Sequence, residues 1–225
     1  WSLLKTIREK GLLDRGFKVV PYSTKSGTTL SDHEVALGYR EVDDPSVFVR
    51  FRRAADPQVS YLVWTTTPWT LPANTALAVH PSVDYARVRV GEEILIVAQD
   101  LVAKAIEGEH QILDVVKGAS LAGDRYIPLF DFFVGECAGR ANAFTVVTGE
   151  FVTTTDGTGV VHQAPAFGAE DLDSARRHDL PVIRHVDDEG RLQETTGPFA
   201  GLWFKDADKP ILRDLKERGL LLRAG

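Results

Sequence analysis

Ala86-Arg87-Val88-Arg89-Val90-Gly91-Glu92-Glu93-Ile94-Leu95-Ile96-Val97 is the stretch whose reading decides the fold class. Two runs rich in Val and Ile, 86–90 and 94–97, are joined across Val90-Gly91-Glu92-Glu93-Ile94, which reads as a hairpin. Working outward, Ser46–Phe51, Tyr61–Thr66, Ala143–Thr148 and Gly159–His162 carry the same Val, Ile, Thr and Phe enrichment and are predicted strands. Helical signals are fewer. Ser2 is placed to cap a helix with Leu3, Leu4 and Ile7 on one face and Gly11 as its stop. Near the other end Asp208 is placed as a cap, Pro210 falls in the first turn, and Ile211, Leu212 and Leu215 form the stripe before Gly219. Between them, Asp100–Ile106 and Glu170–His178 are predicted helices, the second closed off by Pro181. Many short strands with helices at the flanks predict a mainly β chain, an antiparallel barrel or sandwich with decorations.

Composition narrows the function classes. The chain has 225 residues, of which 44% are hydrophobic and 26% charged, ordinary values for a folded protein. No apolar run reaches the roughly 18 residues that a membrane-crossing helix needs, so a membrane is not an expected partner. Cys137 is the single cysteine, which excludes a disulfide framework and a thiolate metal cage within this chain and fits a cytoplasmic setting. The histidines show no paired metal spacing, and no metal site is expected. A net charge of −6 argues against strong unaided binding to nucleic acid, because phosphate neutralisation supplies most of that affinity. Beginning at Trp1 and lacking methionine, the sequence reads as a monomeric piece of something longer.

Two segments carry chemistry. Trp64 to Thr75 (WTTTPWTLPANT) runs three threonines out of a strand into Pro68, which cannot continue a ladder because it has no N–H. The freed hydroxyls and backbone groups suit a polar notch, or simply an edge strand entering a turn. Asp156 to Asp171 (DGTGVVHQAPAFGAED) ends a strand at His162, turns through Pro165 and Gly168, and starts a helix near Glu170. Asp171 in that first turn is expected to stay ionised beside backbone N–H groups, ready for an ammonium partner, or to serve only as a cap. His162 is either a pocket wall or a satisfied histidine at a strand end.

Taken together these segments resemble the editing domain, also termed connective peptide 1, of isoleucyl-tRNA synthetases. Trp64 to Pro81 (WTTTPWTLPANTALAVHP) is similar to its threonine-rich signature, and Gly157 to Asp171 (GTGVVHQAPAFGAED) to its second signature. Gly16 to Tyr22 (GFKVVPY), Leu30 to Tyr39 (LSDHEVALGY) and Gly201 to Asp208 (GLWFKDAD) resemble the stretches leading in and out. Valyl enzymes would show an Arg where Thr67 stands, and leucyl enzymes an Arg-Pro-Asp-Thr pattern. One departure concerns Ser23-Thr24-Lys25-Ser26-Gly27-Thr28, where relatives often carry a zinc-binding cysteine pair.

The resemblance implies a closed antiparallel or mixed β-barrel core over 46–200, a leading helix and connector over 1–45 and a closing segment and helix over 201–225, all one inserted domain. It implies hydrolysis of valine wrongly esterified to isoleucine tRNA, with valyl-adenylate as a further candidate substrate. The implied partners are the 3′-terminal adenosine of that tRNA and the remainder of the synthetase. ATP and magnesium belong to a synthetic domain whose HIGH and KMSKS sequences are absent here, so no cofactor is expected. Thr65, Thr66, Thr67 and Asn74 would bind the ester carbonyl, ribose or attacking water. Asp171 would anchor the α-ammonium, and His162, Trp69 and Thr70 would shape the side-chain pocket. A catalytically silent module for the tRNA end and a free-standing small-ester hydrolase are the rival readings. The absence of a Gly-x-Ser-x-Gly elbow weighs against the second.

Overall fold

The computed structural model describes residues 1–13, 16–40 and 46–224. In chain order its elements are α1 (Ser2–Glu9), β1 (Tyr22–Ser23), β2 (Thr28–Thr29), α2 (Asp32–Gly38), β3 (Val47–Arg52), β4 (Val59–Thr65), β5 (Ala76–Val79), β6 (Asp84–Val90) and β7 (Glu93–Ala98). There follow α3 (Val102–Ala105), β8 (Gln111–Lys117), β9 (Val146–Thr148), β10 (Val160–Gln163), α4 (Ala169–His178), α5 (Phe204–Glu217) and β11 (Leu221–Ala224). A 3₁₀ turn, Pro68–Ala73, links β4 to β5.

The mainly β expectation holds, and the predicted hairpin is β6–β7, with Val90 facing Glu93 and Gly91 at φ +60°. The closed barrel does not. A six-stranded sheet of order β11-β3-β4-β7-β6-β8 is antiparallel except where β4 meets β7. A separate three-stranded sheet has the order β10-β5-β9. Among the described residues the two are joined by isolated contacts, not by ladders: Arg53 bridges Tyr126, Arg125 bridges Thr145, and Ala98 N–H donates to Thr158 O. The reason lies in the sequence. At Pro68 the chain loses a ladder donor and winds into a 3₁₀ turn, so β4 cannot run on into β5, and the sheet opens there.

That opening is framed tightly. Gly159, at φ +71°, precedes β10, and a Cβ on it would meet the Ala98 Cβ at 2.4 Å, so the small sheet can approach the end of β7 only with glycine in place. The Arg53 guanidinium and the Tyr61 hydroxyl share the Asp124 carboxylate at 2.6 Å each, tying the end of β3 to the loop that leads to Tyr126. Phe51, Tyr61, Leu62, Leu77, Leu95 and Ile96 fill the core between the sheets, and Ile211 and Leu215 of α5 close it.

The helices depart from expectation at their starts. Ser2 is the first residue of α1, with Trp1 at the cap position and no side-chain cap bond; no residue of α1 is buried. The final helix begins at Phe204, four residues before Asp208, which is therefore an interior and buried residue. The β1–β2 hairpin is held by hydroxyls: Ser26 N–H donates to Ser23 Oγ at 3.3 Å, and Ser26 Oγ and Thr28 Oγ1 lie 3.1 Å apart. No helix among the described residues is long and apolar enough to cross a membrane.

Candidate functional site

The gap between the sheets is a cleft of about 340 Å³, lined by β4 and its 3₁₀ turn on one side and by β10 and the start of α4 on the other. Thr65 ends β4 and is buried, Thr66 follows, and Thr67 stands at the turn's cap position. Their hydroxyls are already organised: Thr65 Oγ1 accepts from Thr67 N–H at 3.1 Å, and Thr67 Oγ1 lies 3.3 Å from Thr65 Oγ1 and 3.4 Å from Thr70 Oγ1. A run that has left its ladder thus satisfies itself locally, as Thr side chains do.

His162 enters from β10, opposite Leu77 of β5. Its tautomer follows from its neighbours. The Asn74 amide donates to Ala76 O at 2.9 Å, so its nitrogen is the group facing His162 Nδ1 at 3.2 Å, and Nδ1 must accept. The proton is then on Nε2, donated to Thr70 Oγ1 at 2.8 Å, while Thr70 donates onward to Thr67 O at 2.8 Å. Burial, with the nearby His185 adding to it, pushes His162 down to about 4, so the ring is neutral at pH 7. Its lone pair and its proton are both committed. This is a wall, not a free base.

Asp171, in the first turn of α4, accepts from Ala164 N–H at 3.0 Å through Oδ2 and from Gln163 Nε2 at 3.0 Å through Oδ1. The helix start is not the dominant influence on this group. Burial lifts its carboxyl above the usual value, and the Ala164 N–H, the largest opposing influence, does not reverse this. A carboxyl partly stripped of water gains most from an incoming cation. Gly168 makes the room, since a Cβ there would sit 2.8 Å from Asp171 Oδ2.

Trp69 forms the far wall, its ring edge-on to Phe167 at 5.0 Å between centroids. Of the predicted residues, Thr65, Thr66, Thr67, Trp69, Thr70, His162 and Asp171 all line this one cleft, and among the described residues Asp171 is the sole lining residue with a formal charge. Asn74 is placed differently. It lies under His162, its oxygen accepting from the Tyr126 hydroxyl at 2.5 Å, and it is not among the lining residues. It orients the wall and does not face the cleft. Sequence reasoning missed Gln163, Phe167 and Gly168. Gln163 and Gly168 sit inside the second signature, where their neighbours carry the more conspicuous chemistry. Cys137 offers no nucleophile here, since burial raises its thiol to about 11. Among the described residues no group of three or more His, Cys, Asp or Glu side chains is arranged to hold a metal ion.

The family model for class I tRNA synthetases (I, L, M and V) matches residues 1–206. The chain belongs to that family. Isoleucine–tRNA ligases are similar along its whole length: that of Thermus thermophilus is 46% identical over 99% of the chain, and that of Clostridium novyi 44% over 100%. The cytoplasmic isoleucine–tRNA ligase of Mus musculus is 43% identical over 100% of the chain. The chain spans 21% of the length of the first two and 18% of the mouse enzyme. Among solved structures it shares its fold with GlLeuRS-CP1 at a TM-score of 0.62 and 15% identity, over 81% of this chain and 99% of that one. The editing domain of the P. knowlesi cytosolic leucyl-tRNA synthetase aligns at a TM-score of 0.57 and 11% identity, over 82% and 97%. This synthetase-family chain therefore has the architecture of an editing domain, with the cleft built where its two signature segments meet.

Proposed function

We propose that the cleft proofreads isoleucine tRNA by hydrolysing the ester of wrongly attached valine. One observation carries the reading: a single carboxylate, Asp171, faces a notch of threonine hydroxyls across a small neutral wall made by His162 and Trp69. An aminoacyl ester presents an α-ammonium, a short apolar side chain and a polarisable carbonyl, and each has a matching surface. The ammonium pairs with Asp171. The side chain points at His162 and Trp69, and the carbonyl and the attacking water lie among Thr65, Thr66 and Thr67.

Water oxygen bonds to the acyl carbon, the bond from that carbon to the ribose oxygen breaks, and the ribose oxygen takes the proton, releasing valine and free tRNA. His162 has no lone pair to spare and is neutral, so it does not drive this step. An aminoacyl ester is already activated, and holding water and ester in line at a polarised site supplies the acceleration. Discrimination is needed because one methylene is worth only about 1–3 kcal/mol in a synthetic pocket, a limit for which isoleucine against valine in this synthetase class is the standard worked example. A second, smaller site multiplies it.

The module acts, on this reading, in the cytoplasm as a monomeric part of a larger synthetase, without a metal or cofactor of its own. The remainder of that synthetase supplies most of the grip on tRNA, consistent with a net charge of −6 here. The test is deacylation of valyl-tRNA(Ile) by the full-length enzyme and its Asp171→Ala variant. Loss of hydrolysis with the fold intact supports the anchor; a wild-type rate in the variant overturns it.

A further inference from the structure

Trp69 is a cleft wall held from outside the cleft. Its backbone N–H, near the start of a 3₁₀ turn where no partner exists within the turn, donates to Asp208 Oδ1 at 2.9 Å. Its carbonyl accepts from His185 Nε2 at 2.8 Å. The two partners lie 139 and 116 residues further along the chain, both are buried, and neither lines the cleft. The indole is flanked as well, with ring centroids 4.8 Å from Phe204 and 6.3 Å from His185, the latter inclined at 27°.

Asp208 is out of place as a helix cap. It lies in the second turn of α5, too deep to serve the helix start, and on the same stripe as Ile211 and Leu215, which are fully buried. An apolar residue there would pack without the cost of withdrawing a carboxylate from water. His185 is also fully buried, and its Nε2–H goes to Trp69 O. Both side chains thus hold the peptide groups flanking one residue.

We propose that Asp208 and His185 are positioning residues that set the depth of the cleft, by fixing the backbone of Trp69 and hence how far its indole reaches toward His162. The inference rests on the proofreading function proposed above and names what tunes it. A wall that retreats by about the size of one methylene forfeits discrimination of roughly tenfold to two-hundredfold.

The experiment uses the full-length synthetase and pairs a disruptive with a conservative change at each position. Asp208→Leu and His185→Phe keep the packing and remove the hydrogen bond; Asp208→Asn and His185→Gln keep an acceptor or a donor. For each variant, deacylation of valyl-tRNA(Ile) and of isoleucyl-tRNA(Ile) is measured beside a thermal melt. The expected result is a ratio of isoleucyl to valyl hydrolysis raised by about tenfold or more in the disruptive pair and near wild type in the conservative pair. An unchanged ratio in a folded disruptive variant overturns the proposal, even if both rates fall together. Failure of both disruptive variants to fold overturns it too, because the residues would then be core supports. A wild-type enzyme that hydrolyses neither ester would instead overturn the proposed function.

Discussion

Replacing Gly168 by alanine tests the anchor without touching it. Gly168 has φ −123°, a backbone that any residue adopts, so the change strains nothing by itself. The new methyl, however, would lie 2.8 Å from Asp171 Oδ2 and 2.9 Å from its Cγ. To reach ordinary contact at about 3.4 Å, the carboxylate must withdraw by roughly 0.6 Å. Its bond from Ala164 N–H, now 3.0 Å, would lengthen to at most about 3.6 Å, beyond hydrogen-bond reach when the shift is directed away from Ala164. A hydrogen bond to a charged group is worth about 1.5–3 kcal/mol, so a loss of melting stability of that order is expected. The effect on hydrolysis is larger in proportion: a misplacement of about 1 Å costs on the order of a hundredfold, and 0.6 Å should cost about tenfold or more. Valyl-tRNA(Ile) deacylation by the full-length variant is the assay, with circular dichroism to confirm folding. A folded Gly168→Ala enzyme working at the wild-type rate would refute both the crowding and the anchoring role.

His162→Ala should open the wall and begin to hydrolyse isoleucyl-tRNA(Ile) while valyl hydrolysis remains measurable; parallel loss of both rates would make His162 a base after all. Because burial raises the Asp171 carboxyl, wild-type deacylation should fall on acidification at a pH above the ordinary aspartate value of 3.8, and a rate that stays flat down to that value in folded enzyme would refute the anchoring role. Both His162 and His185 are held down to about 4 against 6.5 when unfolded, so the unfolded chain takes up protons first. Their contribution to stability is complete above pH 6.5 and is lost as the pH falls toward 4, a slope that His162→Gln with His185→Gln should flatten in acid denaturation. A strong chelator should leave deacylation unchanged; loss restored by zinc would refute metal-independence.

What is legible in the sequence follows its physics. β3, β4, β6, β7 and β10 can be read within a few residues because β-branched residues concentrate there and turns bound them. β5 escapes such a reading: Ala76-Leu77-Ala78-Val79 is buried on both faces, so it has no alternation to detect. β8 escapes it too, its Gln111–Lys117 pattern irregular because a register shift lies between Arg87 and Val88 of its partner strand. The expected strand 143–148 shrinks to Val146–Thr148, since Phe144 takes φ +57° and breaks the extension. In the cleft, most lining residues are visible because they are polar groups clustered in two local segments. Asp208 and His185 are not: their partners are backbone atoms more than a hundred residues away, and Asp208 in particular reads as a helix cap. The expectation of closure fails for a related reason. Nothing local in Pro68 announces which two sheets it leaves unjoined.

The hydrogen-bonded column under His162 has a mechanical consequence. Tyr126 is pinned by its backbone to Arg53 at the end of β3, its hydroxyl holds Asn74, and Asn74 holds the imidazole. The wall of the cleft is thus founded on the seam between the two sheets, in close-packed material of low compressibility. A size filter rejects the larger guest only as well as its walls refuse to give. On the proofreading function proposed above, softening that column at any level, even far from the cleft, would blur size selection before it blunted hydrolysis.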